Sequence, residues 1–384
     1  MKKNQELPQI QLIKPYTCKQ IIDEILDNDH FRFREIEKFG TRWNCIFSAR
    51  NDGKSVSVDI DCCLFDFFTT ARQLLYIRRK EDETKPTKVA FYWRDPCIFK
   101  FVNAAGVLAF PGYSTYQIDA KAGEIFLFGR TEEGREDKLA VLGYYCSVEK
   151  YRDRKSTGNV SNVRNCIYEE FLTSQEKELK NEFEDLLNTI STYTRDRDFK
   201  VYCIGNTVRR RSAIFEGFGV NTDDIVPGIA QVFRYKTKDG EENDLTVYHV
   251  PETKSRRRTV KSYYFDDKNK SNLIGDEWYV SDYPPIPPEF ASETFKPRVA
   301  FRILNGQITL YCYVTSTGRM VCTSTRWVSF IDYITICNRT DITRKWFSKE
   351  GVPKLIETLR RFVSHGWVYY ENNYCGDDLR TFLE

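Results

Sequence analysis

The sequence predicts an α/β protein in which a large N-terminal domain with a mostly parallel sheet precedes a smaller α+β domain. Short apolar runs alternate with helical segments across residues 43–220, which is typical of a parallel sheet flanked by helices. From residue 297 onward, apolar and polar residues alternate around two turns, which indicates an antiparallel meander. We therefore expect domains at 1–250 and 291–384, with residues 251–290 as a linker or lid.

The first elements follow from short apolar runs and their punctuation. "WNCIF" at 43–47 is typical of a buried strand, and the residues after Lys54 are rich enough in apolar side chains to predict a helix. "QLLYIRR" at 73–79 predicts the next strand. Glycine and proline punctuate the region 97–128, which indicates hairpins, and "KLAVLGYYCSV" at 138–148 predicts a further strand.

The second half of this domain continues the alternation. "VRNCIYEEF" at 163–171 is an apolar run closed by two adjacent carboxylates. Thr173 and Glu176 form a capping box that would open a helix. The apolar residues of that helix fall on one face: Leu179, Phe183, Leu186, Leu187 and Ile190. A strand at 199–207 and a hairpin at 231–250 would complete the domain.

Composition limits the function classes. The 384 residues carry a net charge of +3 with 41% hydrophobic and 15% aromatic residues, which argues against wholesale disorder. The twelve cysteines include no C-x-x-C pair and the three histidines lie far apart, so a structural zinc is not expected. Unpaired cysteines and the lack of a signal peptide indicate a reducing cytoplasm. The most apolar uncharged run is too short to cross a bilayer, so no membrane partner is expected.

One stretch, "SARNDGKS" at 48–55, matches a phosphate loop except that Ser48 replaces the first glycine of G-x-x-x-x-G-K-[ST]. In such a loop, backbone N–H groups surround a polyanion at a helix N-terminus. Lys54 would reach the outer phosphates and the Ser55 hydroxyl would bind Mg²⁺. Gly53 stands at the position where the turn most needs a glycine. The expected nucleotide contacts are Ser48, Ala49, Arg50, Asn51, Asp52, Gly53, Lys54 and Ser55.

The second half of a nucleotide site is an apolar strand that ends in acids. "CIYEEF" supplies Glu169 for the metal ion and Glu170 as a candidate base. Two adjacent glutamates at a strand end are more often exposed charge, but the phosphate loop and its strand context favour the functional interpretation. Arg195 and Arg197 are candidates for completing the site of a neighbouring subunit, as basic residues do in oligomeric ATPases.

Six segments occur in order, with compatible spacing, between residue 40 and about residue 220: "SARNDGKS", "LLYIRR", "LGYYCSV", "NCIYEEF", "TRDRDFKVYCIGNT" and "FEGFGV". Together they resemble the small DNA-packaging ATPases of phi29-like tailed phages, the compact relatives of terminase large subunits. The resemblance implies an ASCE-type P-loop ATPase domain that uses ATP and Mg²⁺. It also implies that the moved cargo is double-stranded DNA.

Residue by residue, the resemblance assigns Lys54 to phosphate and Ser55 to Mg²⁺. Glu169 stands where the family has aspartate, one methylene shorter, and Glu170 matches the catalytic glutamate. Asn206, in "IGNT", matches the polar position that senses the γ-phosphate. The departures from the family pattern are Ser48 and Glu169.

The resemblance also implies an assembly. Identical subunits would form a ring, expected to be a pentamer, at the portal of a procapsid, with a scaffold RNA as a further candidate partner. Arg197, in preference to Arg195, would be the arginine that acts in trans. The protein would occur in the host cytoplasm and transiently at the portal vertex, and it would not be a virion component.

The C-terminal domain would by this resemblance be an RNase H-like nuclease that has lost its active site. A two-metal nuclease needs several converging carboxylates. Between Glu293 and Asp332 there is no Asp or Glu, and Arg302, Arg319 and Arg326 occur instead. The sequence therefore predicts no cleavage, and the arginine-bearing sheet either contacts nucleic acid or the portal or carries ordinary surface charge. A helix near residues 352–363 would follow.

Other functions stay open at this point. One is a terminase large subunit with an active nuclease. Another is a non-hydrolysing, nucleic-acid-binding scaffold whose phosphate loop has degenerated. A small-molecule kinase is disfavoured because the sequence shows no compact lid or acceptor base. The basic stretch "KSRRRTVK" at 254–261 is a candidate DNA contact.

Overall fold

A computed structural model describes most of the chain. The described residues are 7–26, 31–48, 53–150, 162–173, 179–195, 198–206, 212–236, 240, 242–251, 283–290, 297–305, 308–327, 333–337, 346–349 and 351–383. Residues 49–52 of the loop, Arg197, Glu176 and the basic stretch 254–261 lie outside them. The chain divides into two compact units, Met1–Tyr279 and Val280–Glu384. Of the expected linker, residues 251 and 283–290 are described, and residues 283–290 belong to the second unit.

The first unit alternates helices and strands. Its described residues form helices α1 Pro15–Ile25, α2 Arg34–Glu37, α3 Lys54–Val58, α4 Phe65–Thr70, α5 Pro86–Tyr92, α6 Pro96–Ala109, α7 Glu182–Thr194 and α8 Ala213–Phe218. A π-helical stretch, Asp59–Leu64, joins α3 to α4. The strands are β1 Trp43–Ser48, β2 Gln73–Arg78, β3 Thr115–Lys121, β4 Glu124–Arg130, β5 Glu136–Ser147, β6 Val163–Glu169, β7 Lys200–Asn206, β8 Ala230–Lys236 and β9 Glu242–His249.

The described strands of this unit form one sheet in the order β3-β4-β5-β2-β6-β7-β1-β9-β8. The pairs β5–β2, β2–β6, β6–β7, β7–β1 and β1–β9 are parallel, and the antiparallel pairs lie at the two edges. The predicted mostly parallel sheet is confirmed. Because β2, β6, β7 and β1 are parallel neighbours, their carboxyl ends meet at one edge, where ligands bind in open α/β sheets.

Both faces of the sheet are covered, as a parallel sheet requires. Successive residues of β1 alternate between two hydrophobic clusters: Ile46 joins the cluster with α1 and α6, whereas Cys45 and Phe47 join the cluster with α7 and α8. Each fully buried large apolar side chain stabilises the fold by about 1.5–3 kcal/mol. This double burial explains why the central strands are near-continuous apolar runs in the sequence.

The hairpins expected across residues 97–128 are wrong in their first half, because that segment forms α6. The Asp95 carboxylate caps the helix by accepting hydrogen bonds from the backbone N–H groups of Cys97 and Ile98, and Pro96 occupies the first turn. The buried residues of α6 recur at helical spacing: Ile98, Phe101, Val102, Ala105 and Ala109. The second half does form a hairpin, in which β3 pairs antiparallel with β4.

The helix expected after Thr173 begins later than the capping box suggests. The structure places its first residue at Glu182, with Asn181 as the N-terminal flanking residue. Leu186 and Ile190 are buried as the apolar stripe predicts, but Leu187 is 37% exposed. Tertiary packing against the sheet, rather than the local cap signal, sets where this helix begins.

The second unit is a smaller mixed sheet with two helices. Its described elements are β10 Val299–Asn305, β11 Ile308–Val314, β12 Met320–Thr323, β13 Ile334–Cys337, β14 Trp346–Ser348, α9 Pro353–Ser364, β15 Val368–Tyr370 and α10 Asn373–Leu383. The order is β14-β13-β10-β11-β12-β15. β10, β11 and β12 form the predicted antiparallel meander, and β13 and β14 continue parallel to β10. The predicted second, smaller α+β domain is confirmed.

The described residues contain neither a metal-binding cluster nor a membrane-spanning helix. No group of three or more His, Cys, Asp or Glu side chains among them is placed to hold a metal ion. Within the same residues, none of the helices combines the length and the apolar character that spanning a bilayer requires.

Candidate nucleotide site

The carboxyl ends of four neighbouring strands bring together side chains that are far apart in the chain. Ser48 ends β1 in register with Asn206, which ends β7. Glu169 ends β6, the other neighbour of β7. Arg78 ends β2, which pairs with β6. Because β1 leads into the phosphate loop and β6 ends in the acid pair, the sheet places both halves of the predicted site at one edge.

The described end of the predicted phosphate loop is a left-handed glycine followed by a helix. Gly53 adopts a left-handed backbone (φ 68°), a conformation that suits glycine, and Lys54 begins α3. The Lys54 side chain is largely buried and its Nζ donates a hydrogen bond of 2.8 Å to Asn206 Oδ1. Ser48 is fully buried, so a small side chain is required where the pattern has glycine. The structure thus brings Lys54, Asn206 and Ser48 together.

Glu169 lies against the start of α3. Its Oε1 accepts a hydrogen bond of 3.1 Å from the Tyr92 hydroxyl. Burial raises the pKa of the Glu169 carboxyl above its ordinary value, whereas the nearby Ser55 hydroxyl and the charge of Arg78 lower it. Glu169 is 6% exposed.

These residues fit a magnesium ion by the chemistry of their donors. Mg²⁺ prefers hard oxygen ligands and takes one or two carboxylates together with substrate phosphates. The Ser55 hydroxyl and the Glu169 carboxylate are both oxygen ligands, and Ser55 lies close enough to Glu169 to lower the pKa of its carboxyl. A carboxylate has about four acceptor positions, so Glu169 keeps capacity beyond its contact with Tyr92.

Glu170 has a different environment from its neighbour. Its backbone is left-handed (φ 58°), which is uncommon outside glycine and costs roughly 1–2 kcal/mol. Its side chain is 51% exposed and accepts a hydrogen bond of 2.8 Å from Arg78 Nη2. The same Arg78 nitrogen is 3.0 Å from Glu83 Oε1. The candidate base is therefore held by an arginine at the tip of β2.

Arg79, the residue after Arg78, binds the main chain of the same turn. Its Nη1 donates to the carbonyl of Glu170 (2.9 Å) and its Nη2 to the carbonyl of Phe171 (3.1 Å). The guanidinium also makes a bidentate pair with Glu182, at 2.7 and 2.8 Å. Tyr168 donates to Glu182 at 2.7 Å. This buried network fixes the strained turn that carries the base.

A further acid lies behind Glu169. Asp59, the first residue of the π-helical stretch, is 1% exposed and accepts a hydrogen bond of 2.7 Å from the same Tyr92 hydroxyl. Its other oxygen, Oδ1, has no hydrogen-bond partner among the described residues. Burial raises the pKa of Asp59 well above its ordinary value, and the charge of Glu169 raises it further. A π-helical turn inside a helix is frequent at functional sites.

Of the two candidate trans-acting arginines, only Arg195 is described, and it is not part of this cluster. Arg195 follows α7 with a left-handed backbone (φ 48°), and Arg197 lies outside the described residues. α7 leads into the start of β7 at Lys200, whereas Lys54 and Asn206 lie at the opposite, carboxyl end of the sheet. Arg195 therefore lies at the amino-terminal end of the parallel strands, away from Lys54 and Asn206.

Sequence reasoning missed five residues of this site. They are Asp59, Arg78, Arg79, Tyr92 and Glu182. The paired arginines at the end of "LLYIRR" are a visible signal, since a charged pair that closes a buried strand needs partners. Tyr92 and Asp59 carry no local signal, because each is recognisable only by the contact it makes across the fold.

Comparisons with known proteins bear on the fold. No family model and no curated protein matches the chain. The structure does match solved ones. The bacteriophage Phi-29 viral genome packaging motor assembly has a chain that aligns over 93% of this chain and 100% of its own, with 18% identity and a TM-score of 0.54. The chain has the fold of that motor protein.

A second solved structure supports the same fold. The Phi-28 gp11 DNA packaging motor aligns over 93% of this chain and 96% of its own, with 16% identity and a TM-score of 0.50. The resemblance predicted from six ordered segments is therefore confirmed as a structural similarity. Both alignments run through nearly the whole length of either chain.

Proposed function

We propose that this protein is an ATP-driven double-stranded DNA translocase that packages a viral genome into a procapsid as a homo-oligomeric ring. The observation that carries the proposal is the meeting of Lys54, Asn206 and Glu169 at one sheet edge, in a fold shared with packaging motor proteins. Phosphate binding at that edge follows from Lys54 at a helix N-terminus after a left-handed glycine.

Glu169 and Ser55 would hold the Mg²⁺ that accompanies ATP, and the ion would neutralise charge on the β- and γ-phosphates. Asn206 already contacts Lys54 Nζ at 2.8 Å. A γ-phosphate that draws Lys54 toward itself would therefore break this contact and change the position of Asn206. In this way the end of β7 would report whether nucleotide is bound.

Glu170 would accept a proton from the attacking water. It does so only when its carboxylate is directed at the water, and in this structure the carboxylate is paired with Arg78 at 2.8 Å. An ion pair with a half-exposed partner is worth about 0–1 kcal/mol, so it opens readily. The main chain beneath it stays fixed, because Arg79 and Glu182 form a buried pair whose disruption costs about 3–5 kcal/mol.

The remaining parts of the proposal concern the assembly. An arginine from a neighbouring subunit, Arg197 or Arg195, would complete the site, and such residues accelerate hydrolysis by roughly 10³–10⁵. The ring, which we expect to be a pentamer, would bind the portal in the host cytoplasm. A packaging motor must ignore sequence, so its DNA contacts would be to phosphates and would weaken steeply with salt.

The second unit would serve contact rather than cleavage. Its central strand β10 carries Arg302, and the described residues offer no carboxylate group that could hold two metal ions. We therefore propose that the full-length chain does not nick DNA with Mg²⁺ or Mn²⁺. A terminase large subunit with an active nuclease would nick plasmid DNA under these conditions.

ATP turnover with and without double-stranded DNA tests the proposal. We expect DNA-stimulated turnover in the wild type and its loss, by at least about 100-fold, in Glu170→Gln and in Lys54→Ala. The Glu170→Gln variant should still bind ATP, because an amide keeps the shape of the side chain but does not act as a base.

The two variants separate the alternatives. A non-hydrolysing scaffold would bind DNA equally well with Lys54→Ala and would show no turnover in the wild type. That result would contradict the proposal. Equal turnover in Glu170→Gln and wild type would instead remove Glu170 from the reaction.

A further inference from the structure

Tyr92 is placed to orient the carboxylate that would hold the metal ion. Its hydroxyl lies 3.1 Å from Glu169 Oε1 and 2.7 Å from Asp59 Oδ2. Tyr92 is the last residue of α5, and its ring packs on Tyr76 of β2, with ring centroids 4.7 Å apart. The phenol is thus fixed by the sheet on one side and by two acids on the other.

Glu169 needs such a partner more than a shorter acid would. It has one methylene more than an aspartate, and therefore one more rotatable bond. A longer side chain has more rotamers to lose when it is ordered. The hydrogen bond from Tyr92 selects one of these rotamers before any ion arrives.

Asp59 is the second acid that contacts the Tyr92 hydroxyl. A tyrosine hydroxyl has a single hydrogen to donate, yet two acid side chains lie within hydrogen-bond distance of Tyr92. Asp59 is 1% exposed, and its Oδ1 has no hydrogen-bond partner in the described part of the chain. The single phenol hydrogen is therefore shared between Asp59 Oδ2 at 2.7 Å and Glu169 Oε1 at 3.1 Å. The contact with Asp59 holds the hydroxyl in place beside Glu169.

We propose that Tyr92, supported by Asp59, is a positioning residue that fixes Glu169 for Mg²⁺ and compensates for its extra methylene. This inference rests on the proposed function, because it presupposes that Glu169 meets a nucleotide-bound ion. Partners that orient metal ligands are worth about 10–100-fold in metal affinity or activity when removed. Tyr92 itself touches neither substrate nor metal.

The test measures the Mg²⁺ dependence of binding of a fluorescent ATP analogue, with no turnover required. In Tyr92→Phe we expect the Mg²⁺ concentration for half-maximal binding to rise about 10–100-fold. Affinity for the analogue in EDTA should stay within about twofold, because Tyr92 does not contact the phosphates. Tyr116→Phe is the matched control: it too removes a buried phenol hydrogen bond, 2.6 Å to the Phe110 carbonyl, and should leave the Mg²⁺ dependence unchanged.

The same substitution in a Glu169→Asp protein tests whether Tyr92 acts through Glu169. Glu169→Asp shortens the acid and withdraws it from Tyr92, so adding Tyr92→Phe to Glu169→Asp should change the Mg²⁺ dependence by less than about twofold. An equal loss in both backgrounds would overturn the proposal, and so would a Tyr92→Phe protein that matches the wild type. If the wild type binds no analogue even with Mg²⁺, the proposed function fails together with the inference.

Discussion

The two sides of the strand tip that carries Glu170 differ in how firmly they hold it. On the exposed side, Arg78 pairs with a carboxylate that is 51% exposed. On the buried side, Arg79 and Glu182 have side chains 4% and 1% exposed, and Arg79 binds the main chain of the turn. Adjacent residues at the end of β2 thus face opposite ways. The site therefore combines a rigid main chain with a side chain that can change partners.

The largest effect should come from breaking the buried side. Arg79→Gln leaves Glu182 buried without its cation, so we expect a loss of about 3–5 kcal/mol in the free energy of unfolding, measured by chemical denaturation. Arg79→Lys keeps the charge but cannot bind both carbonyls at once. Because small misplacements of a catalytic group cost up to about 100-fold in rate, its kcat should fall about 10- to 100-fold with KM little changed.

A matched pair elsewhere separates stability from positioning. Arg32 makes a bidentate contact with Asp61, with both distances 3.1 Å, and touches neither Glu169 nor Glu170. Arg32→Lys should lower the melting temperature as Arg79→Lys does but should not lower kcat. Equal kcat losses in the two variants would show that Arg79 acts only through general stability.

A smaller effect is expected on the exposed side. Arg78→Gln releases the Glu170 carboxylate at a cost of about 1 kcal/mol or less, so ATP turnover without DNA should rise about two- to fivefold. Stimulation by DNA should shrink by the same factor, because the released state is already populated. Steady-state turnover at low salt measures both. A fall in turnover would mean that Arg78 instead supports the reaction directly.

The smallest effect concerns the acid behind Glu169 and depends on pH. Burial raises the pKa of Asp59 in the folded state, so the folded protein binds this proton more tightly than the unfolded chain does. The resulting stabilisation is complete below about pH 4, the ordinary value for an aspartate, and is lost as pH rises toward the folded-state pKa. Asp59→Asn should therefore flatten the fall in melting temperature as pH rises above about 4. An unchanged slope would contradict a raised pKa of Asp59.

Much of the fold could be predicted because its signals are local. A strand buried on both faces must be a short apolar run, as "WNCIF" is, and β1 occupies Trp43–Ser48. α6 was missed because its segment contains strand-forming aromatic residues and a glycine. Gly106 faces the ring of Tyr116, where a Cβ would lie 2.5 Å from the ring, so that glycine serves helix packing and is not a turn signal.

By itself, the sequence determined the parallel sheet, the Gly53-Lys54-Ser55 turn, the acid pair at the end of β6 and the carboxylate-poor meander, because each depends on residues close together in the chain. Only the tertiary structure decided which side chains surround these groups. Arg79 meets Glu182, 103 residues away, and Tyr92 meets Glu169, 77 residues away. Such partners are chosen by the order of strands in the sheet, and no local pattern of residues encodes that order.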